Sequence, residues 1–263
     1  MINLKFNNKV SNSIFSFIPA LLIIFSLILM WEFCVYIFDI EKWLLPSPSA
    51  IFLDFIKNPI VFLNHTYVTL IEILIGFILA IIVALVLASV IVMFKVVERS
   101  FYPFLIASQT IPIIVIAPLL LVWIGYGLLP KVIVVALISF FPIVVNTVDG
   151  MKSIDRDLLN LLRTMGANKW QIFVKIRVPT CLPFFFSGAR VAVTVSVIGA
   201  VIGEWVGASE GLGYLMIRSK PLFLTERVFV AIFILSFIGI SLFLLLLIIE
   251  KLSIPWANNK NNN

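Results

Sequence analysis

Apolar residues in this chain fall into six long runs, each followed by a short polar segment. The runs cover about Ile14–Phe38, Leu70–Phe94, Phe104–Ile124, Val132–Val148, Phe184–Val206 and Val228–Ile249. A hydrocarbon layer of about 30 Å is crossed by about 20 helical residues, and each run is close to that length. The pattern predicts an all-α, polytopic membrane protein with about six transmembrane helices in residues 14–251. A cytoplasmic tail, 1–13, precedes them. The last residues, 252–263, include "ANNKNNN" and are expected to form a disordered cytoplasmic tail. Lys5 and Lys9 precede the first run, as in a signal peptide. The run is too long for such a segment, however, and no A-x-A site follows it, so an uncleaved spanning helix is expected.

Composition supports lipid as the solvent. Hydrophobic residues make up 62% of the chain and charged ones 12%, against about 25% charged in ordinary soluble domains. The net charge of +6 is scattered between apolar runs, which argues for orientation in a bilayer and against nucleic acid. With the N-terminus inside, the six crossings leave twelve Lys and Arg in cytoplasmic segments and six in outer ones. That bias predicts both termini in the cytoplasm of a multi-pass bacterial inner-membrane protein. Cys34 and Cys181 are isolated and His65 has no nearby ligand-type partner, so neither a disulfide framework nor a metal site is expected.

The longest cytoplasmic segment, about 149–183, carries local helix signals. Asp155 can cap a short helix, with Asp157 favouring its positive end. Leu158, Leu161, Leu162 and Met165 recur at i, i+3, i+4 and i+7, giving one apolar stripe. Gly166 suits a left-handed C-terminal position. Asn168 and Gln171 have the spacing of a capping box, and Pro179 is expected to stop the second helix. A helix this short is marginal alone and must lean on something. Anionic lipid and a partner protein are both open at this point.

Polar groups inside the apolar runs are costly unless paired. Glu32, Glu72, Gln109, Asn146, Arg190 and Glu204 stand out. "SQTIP", Ser108–Pro112, sets polar side chains beside a helix-breaking proline, and irregular backbone is tolerated against protein or a wet cavity. Ser108 and Gln109 are therefore candidates for a translocation path. Gly199, Gly203 and Gly207, spaced by four, form a close-packing face. Glu204, beside that seam, is a candidate for the outer mouth of the path.

The spacing Gly166-x9-Ile176-x-Val178-Pro179 resembles the cytoplasmic "EAA" loop of permease subunits in binding-protein-dependent ABC importers, with Val in place of Leu. The likeness runs through "LLNLLRTMGANKWQIFVKIRVPTCLPFFFSGARVAV", "SQTIPIIVIAPLLLVWIGYG" and "GEWVGASEGLGYLM". It covers the chain from about Phe94 to the sixth crossing. The resemblance implies an importer permease without catalytic residues of its own. Its partners would be two copies of an ABC ATPase subunit, a second permease copy in a homodimer, and an extracellular solute-binding protein. ATP would be bound by the ATPase; this sequence has no Gly-x4-Gly-Lys-[Ser/Thr] loop. Carried over residue by residue, ATPase docking falls to Asn160, Leu161, Leu162, Gly166 and Ala167, with Ile176 and Pro179 shaping the return. The family's Glu-Ala-Ala triplet reads Asn160-Leu161-Leu162 here, so the usual carboxylate contact is missing. The wording is most similar to the branch importing nitrate, sulfonates, taurine and thiamine-related pyrimidines, and within it to members for thiamine pyrimidines or riboflavin. The alternative is an ion-gradient-driven carrier using Glu32, Glu72 or Glu204. A membrane enzyme lacks a catalytic cluster.

Overall fold

The structure is a computed structural model and describes residues 6–258. Among the described residues every regular element is helical. In chain order these are α1 (Phe6–Ile37), α2 (Pro48–Lys57), α3 (Pro59–Met93), α4 (Lys95–Ser108), α5 (Ile113–Ile124), α6 (Leu128–Lys152), α7 (Arg156–Thr164), α8 (Lys169–Ile172), α9 (Val178–Gly207), α10 (Leu212–Ser219), α11 (Thr225–Ser253) and α12 (Pro255–Asn258). Of the residues from 252 onward, 252–253 close α11 and Pro255–Asn258 form α12, and residues 259–263 lie outside the described part.

Four helical stretches are long and apolar enough to cross a membrane: Pro59–Met93, Leu128–Lys152, Lys169–Gly207 and Thr225–Ser253. The third apolar run is not one straight helix. It forms α4 and α5, bent by 99° at the intervening residues. Pro112 has no N–H and is itself extended, with φ of −65° and ψ of 117°, so helical bonding breaks there. Ser108 and Thr110 assist, since their hydroxyls donate to the carbonyls of Leu105 and Ala107, each at 2.8 Å. The first run contributes the shorter apolar helix Leu22–Ile37 within α1.

Pro179 does not stop a helix. The backbone N–H of Val178 donates to Phe173 O through a five-residue π-helical turn, Phe173–Arg177, and Pro179 lies in the first turn of α9. The wider turn absorbs the proline's missing donor. The second loop helix and the fifth crossing are therefore one rod of 39 residues, Lys169–Gly207. At 1.5 Å per residue it is roughly 58 Å long, about twice the hydrocarbon thickness.

The chain divides into two compact units. One comprises the chain up to Pro59 together with Arg218–Val230. In it the Glu32 carboxylate accepts the Ser49 N–H at 3.0 Å and the Ser49 hydroxyl at 2.6 Å. An acidic group is thereby held at the positive end of α2. Thr225 donates its hydroxyl to Trp43 O at 2.6 Å, and the rings of Trp31 and Phe229 lie 5.6 Å apart.

The other unit runs from Ile60 to Ile217 and resumes at Ala231. Its core is built on small residues. Ala80, Ala84 and Ala88 of α3 and Ala189 and Ala192 of α9 are buried with Ile143, Val144 and Val148 of α6. Backbones approach closely where side chains are small, which is how helices gain contact area when lipid supplies no hydrophobic drive between them. A Cβ at Gly199 would lie 3.0 Å from Val135 Cα, and one at Gly203 would lie 3.2 Å from Lys131 Cα. A Cβ at Gly207 would fall on the Leu121 side chain. Outward-facing positions such as Ile78, Val86, Ile240 and Leu245 are exposed and apolar, as a lipid-facing surface requires.

Candidate functional site

Two regions of the larger unit concentrate polar chemistry. The first is the loop 153–179. Asp155 caps α7 by accepting the Asp157 N–H at 2.9 Å. The helix then closes in a two-bond left-handed turn. The Ala167 N–H donates to Leu162 O and the Gly166 N–H to Arg163 O, both at 3.0 Å. Gly166 has φ of 85°, a region that a residue with a Cβ enters only with strain. Asn168 and Gln171 complete a reciprocal capping box at 2.8 and 2.9 Å. Each local signal in the sequence is thus used to turn the chain.

The loop is anchored at one end and open at the other. Phe173 is buried with Met151 and Cys181, and Arg177 donates Nη1–H to Val92 O at 3.2 Å. By contrast α7 buries no residue. Leu161 is 57% exposed and Met165 is 74% exposed. Asn160 and Gly166 are also exposed, whereas Leu162, Ala167, Ile176 and Pro179 are half-buried. The result is an amphipathic helix on a firm base, with Leu158, Leu161 and Met165 of its apolar stripe left exposed and Leu162 half-buried.

The second region lies at the other end of the 39-residue rod. Glu204 is 1% exposed. Its carboxylate accepts the Thr69 hydroxyl at 2.6 Å and also the Gly213 N–H. Thr69 in turn accepts the Leu212 N–H at 2.8 Å, and His65 Nδ1 accepts the Gly211 N–H at 2.9 Å. Three successive backbone donors at the start of α10, Gly211 to Gly213, are therefore satisfied by side chains of α3 and α9. Gly211 has φ of 116°, and a Cβ there would overlap the Glu204 carboxyl group. Alongside, buried Glu72 is ion-paired with Lys131 of α6. The Glu72–Lys131 pair follows the rule that intramembrane charge is paired, whereas the Glu204 carboxylate is met by neutral donors.

Sequence reasoning picked out Glu72 and Glu204 but not their partners. Thr69, Gly211 and Gly213 carry no sequence signal of this role, Lys131 reads only as one of the six outer cations, and His65 only as a residue without a nearby ligand-type partner. The "GLG" of "ASEGLGYLM" was the available signal, since paired glycines mark close backbone approach. Ser108 and Gln109 sit at the α4–α5 bend, Gln109 exposed and Ser108 half-buried. Glu204, by contrast, is buried and bonded to Thr69 of α3 and to Gly213. Arg190, inside α9, is paired with Glu250 at 2.6 Å.

Residues 73–254 match the family described as binding-protein-dependent transport system inner membrane component. The chain belongs to that family. The permease is 43% identical over 235 residues to the formylaminopyrimidine transport permease protein ThiX of Halalkalibacterium halodurans, covering 89% of this chain and 94% of the relative. It is 36% identical over 233 residues to the riboflavin transport system permease protein RibX of Chloroflexus aurantiacus, covering 88% and 87%. Among solved structures, an inward-facing form of the MetNI methionine ABC transporter superposes with a TM-score of 0.57. That match has 17% identity and covers 72% of this chain and 98% of the other, so the likeness is one of fold. The permease is thus the membrane component of an ABC importer, a class that works with an ATPase and a solute-binding protein. That membership removes the need for an ion-gradient carrier built on Glu32, Glu72 or Glu204.

Proposed function

We propose that the permease carries a thiamine-precursor pyrimidine of the formylaminopyrimidine class into the cytoplasm, as one of two identical copies driven by two ATPase subunits. The similarity to ThiX over nearly the whole of both chains supports the substrate class. In this reading both termini and the loop 153–179 are cytoplasmic. ATP is bound by the ATPase, and this chain supplies the path and the coupling element.

The observation that carries the coupling role is α7 itself: a capped, amphipathic helix with Leu158 and Leu161 exposed, leading into a rod that runs on to Glu204. An ATPase groove receiving Leu161 and the Asn160–Leu162 triplet would push on a lever whose base is fixed by Phe173 and Arg177. Gly166 and Ala167 set the angle of that lever, and Ile176 and Pro179 lie in its π-helical root and first α9 turn. Movement at one end then reaches the bend carrying Ser108 and Gln109 through α6 and α9, which pack along Gly199 and Gly203. A ligand drives such a switch only by binding its two states differently; here the ATPase dimer would favour one loop spacing with ATP and another without it.

Cysteine placed at Leu161 and cross-linked in membranes containing the co-expressed ATPase tests the docking. Capture of the ATPase is the expected result, and labelling of that cysteine from outside the cell would overturn it. Uptake of labelled formylaminopyrimidine, with riboflavin as competitor, tests the substrate. Undiminished import of riboflavin with no import of the pyrimidine would reverse the assignment.

A further inference from the structure

A cavity of about 460 Å³ lies where α3 ends and α4 begins, roofed by the loop helices. Lys95, Arg163, Lys169 and Arg177 line it, together with apolar side chains that include Val96 and Phe173. None of its described lining residues is acidic. Glu98, whose charge reaches Arg177, is itself paired with Lys152 at 2.8 Å. Four cations from three separate segments thus converge on one space with no acidic residue in its lining, and like charges so placed repel unless a ligand neutralises them. Arg177 is fixed there by its bond to Val92 O, and Phe173 is held by its ring contact with Trp170, centroids 5.7 Å apart. The volume falls in the range of small-ligand sites. Four of its eleven lining residues are cationic and seven are apolar, and Met93 and Phe94, at the exposed end of an apolar spanning helix, form part of its wall.

We propose that this cavity binds the phosphate of an anionic phospholipid headgroup, with the first acyl methylenes against Val96 and Phe173. Arg163 and Arg177 supply planar donors for phosphate oxygens, and Lys95 and Lys169 close the rim as point charges. A soluble phosphate would use the same cations but leave the apolar wall uncovered. Basic pockets between spanning helices at the cytoplasmic surface have the composition that acidic headgroups select. Placing the site in the cytoplasmic leaflet rests on the orientation proposed above; the binding itself does not.

Native mass spectrometry of the full chain in detergent, offered equimolar phosphatidylglycerol and phosphatidylcholine, tests this. Phosphatidylglycerol is expected to be retained, and millimolar inorganic phosphate is expected not to displace it. With roughly a fivefold contribution per cation, Lys95→Gln combined with Lys169→Gln lowers phosphatidylglycerol binding by roughly 25-fold. Both lysines are exposed, so the melting midpoint should stay at the wild-type value. Val96→Trp, which fills the cavity without altering charge, should also abolish retention. Equal retention of the two lipids, or unchanged binding in both variants, overturns the proposal. Displacement by inorganic phosphate overturns the lipid as occupant in favour of a soluble phosphate. Loss of the lipid on adding the ATPase subunit also overturns it, by showing that the partner fills the space. The readout needs neither uptake nor ATP hydrolysis, so failure of ATPase docking would leave it intact.

Discussion

Thr69 and Glu204 are 135 positions apart in the chain, yet the threonine hydroxyl donates to the glutamate carboxylate at 2.6 Å inside the bundle. The same hydroxyl accepts the Leu212 N–H. One small side chain therefore joins α3 to α9 and holds the α9–α10 connection against both. Nearby, Lys131 reaches Glu72 from α6. The end of the rod remote from the loop is consequently locked by polar bonds, while its loop end rests on the Phe173 anchor and carries the uncovered α7.

Thr69→Val keeps the shape and removes the hydroxyl. The Glu204 carboxylate loses a donor and the Leu212 N–H loses its acceptor, each in a buried setting. An unsatisfied buried group costs about 1–3 kcal/mol. The melting midpoint of the purified permease should fall by several degrees, and Thr69→Ser should restore most of it. A Thr69→Val protein melting like wild type would show that the hydroxyl is not needed.

Lys131→Met leaves Glu72 charged in a setting with no other cation paired to it. Breaking one side of a buried ion pair costs about 3–5 kcal/mol, more than replacing both partners with apolar groups. The double change Lys131→Met with Glu72→Leu should therefore be more stable than Lys131→Met alone. Thermal unfolding of Lys131→Met, Glu72→Leu and the double variant in one detergent decides it, and additive losses would show that the two residues are not coupled.

How much of this was legible in the sequence depended on distance along the chain. The helical, membrane-spanning class followed from six apolar runs, and the loop's cap, glycine turn and capping box followed from residues at most five positions apart. Those features are local, and local chemistry specifies them. The Glu204–Thr69 and Glu72–Lys131 pairs were not legible, because periodicity tells which face of a helix is apolar but not which helix lies opposite. Pro179 misled for another reason. A proline predicts a missing hydrogen bond, and a π-helical turn accommodates that loss without ending the helix. Lys131 was counted among outer-loop cations, although it sits in the first turns of α6 with its charge turned inward.

Gly166 is strained for any residue bearing a Cβ, but nothing lies within 4 Å of where that Cβ would go. Gly166→Ala should therefore act through backbone geometry alone, at about 1–2 kcal/mol for a non-glycine residue in the left-handed region. Membrane insertion and expression should persist while ATP-driven uptake falls. Gly166→Pro, which cannot adopt that φ at all, should abolish uptake. Normal uptake in the proline variant would remove the turn from the coupling mechanism.

Gly188 makes the tightest approach between α9 and α6. A Cβ there would lie 2.5 Å from Pro142 O and 2.9 Å from Asn146 Cβ. Neither neighbour is the free end of a flexible chain, so the helices would have to separate. Gly188→Val should lower the melting midpoint by more than Gly239→Val, where the nearest atom to an added Cβ is Val197 Cγ2 at 3.6 Å, since overpacking typically costs about 1–3 kcal/mol. The comparison fails if both variants melt alike.

Leu161 separates docking from folding. It is 57% exposed on a helix that buries no residue of its own. Leu161→Asp therefore removes no packing from the permease, and its melting midpoint should remain within about 0.5 kcal/mol of wild type in stability, as for ordinary surface changes. An acidic group set against an apolar ATPase groove would be desolvated without a partner, however, at a cost of several kcal/mol. Co-purification of the ATPase should drop by at least an order of magnitude, because each 1.4 kcal/mol is about tenfold in affinity. Leu161→Met, which conserves volume and polarity, should retain the complex. If Leu161→Asp destabilises the isolated permease as much as it weakens ATPase capture, α7 packs on its own bundle in the membrane and the docking surface lies elsewhere.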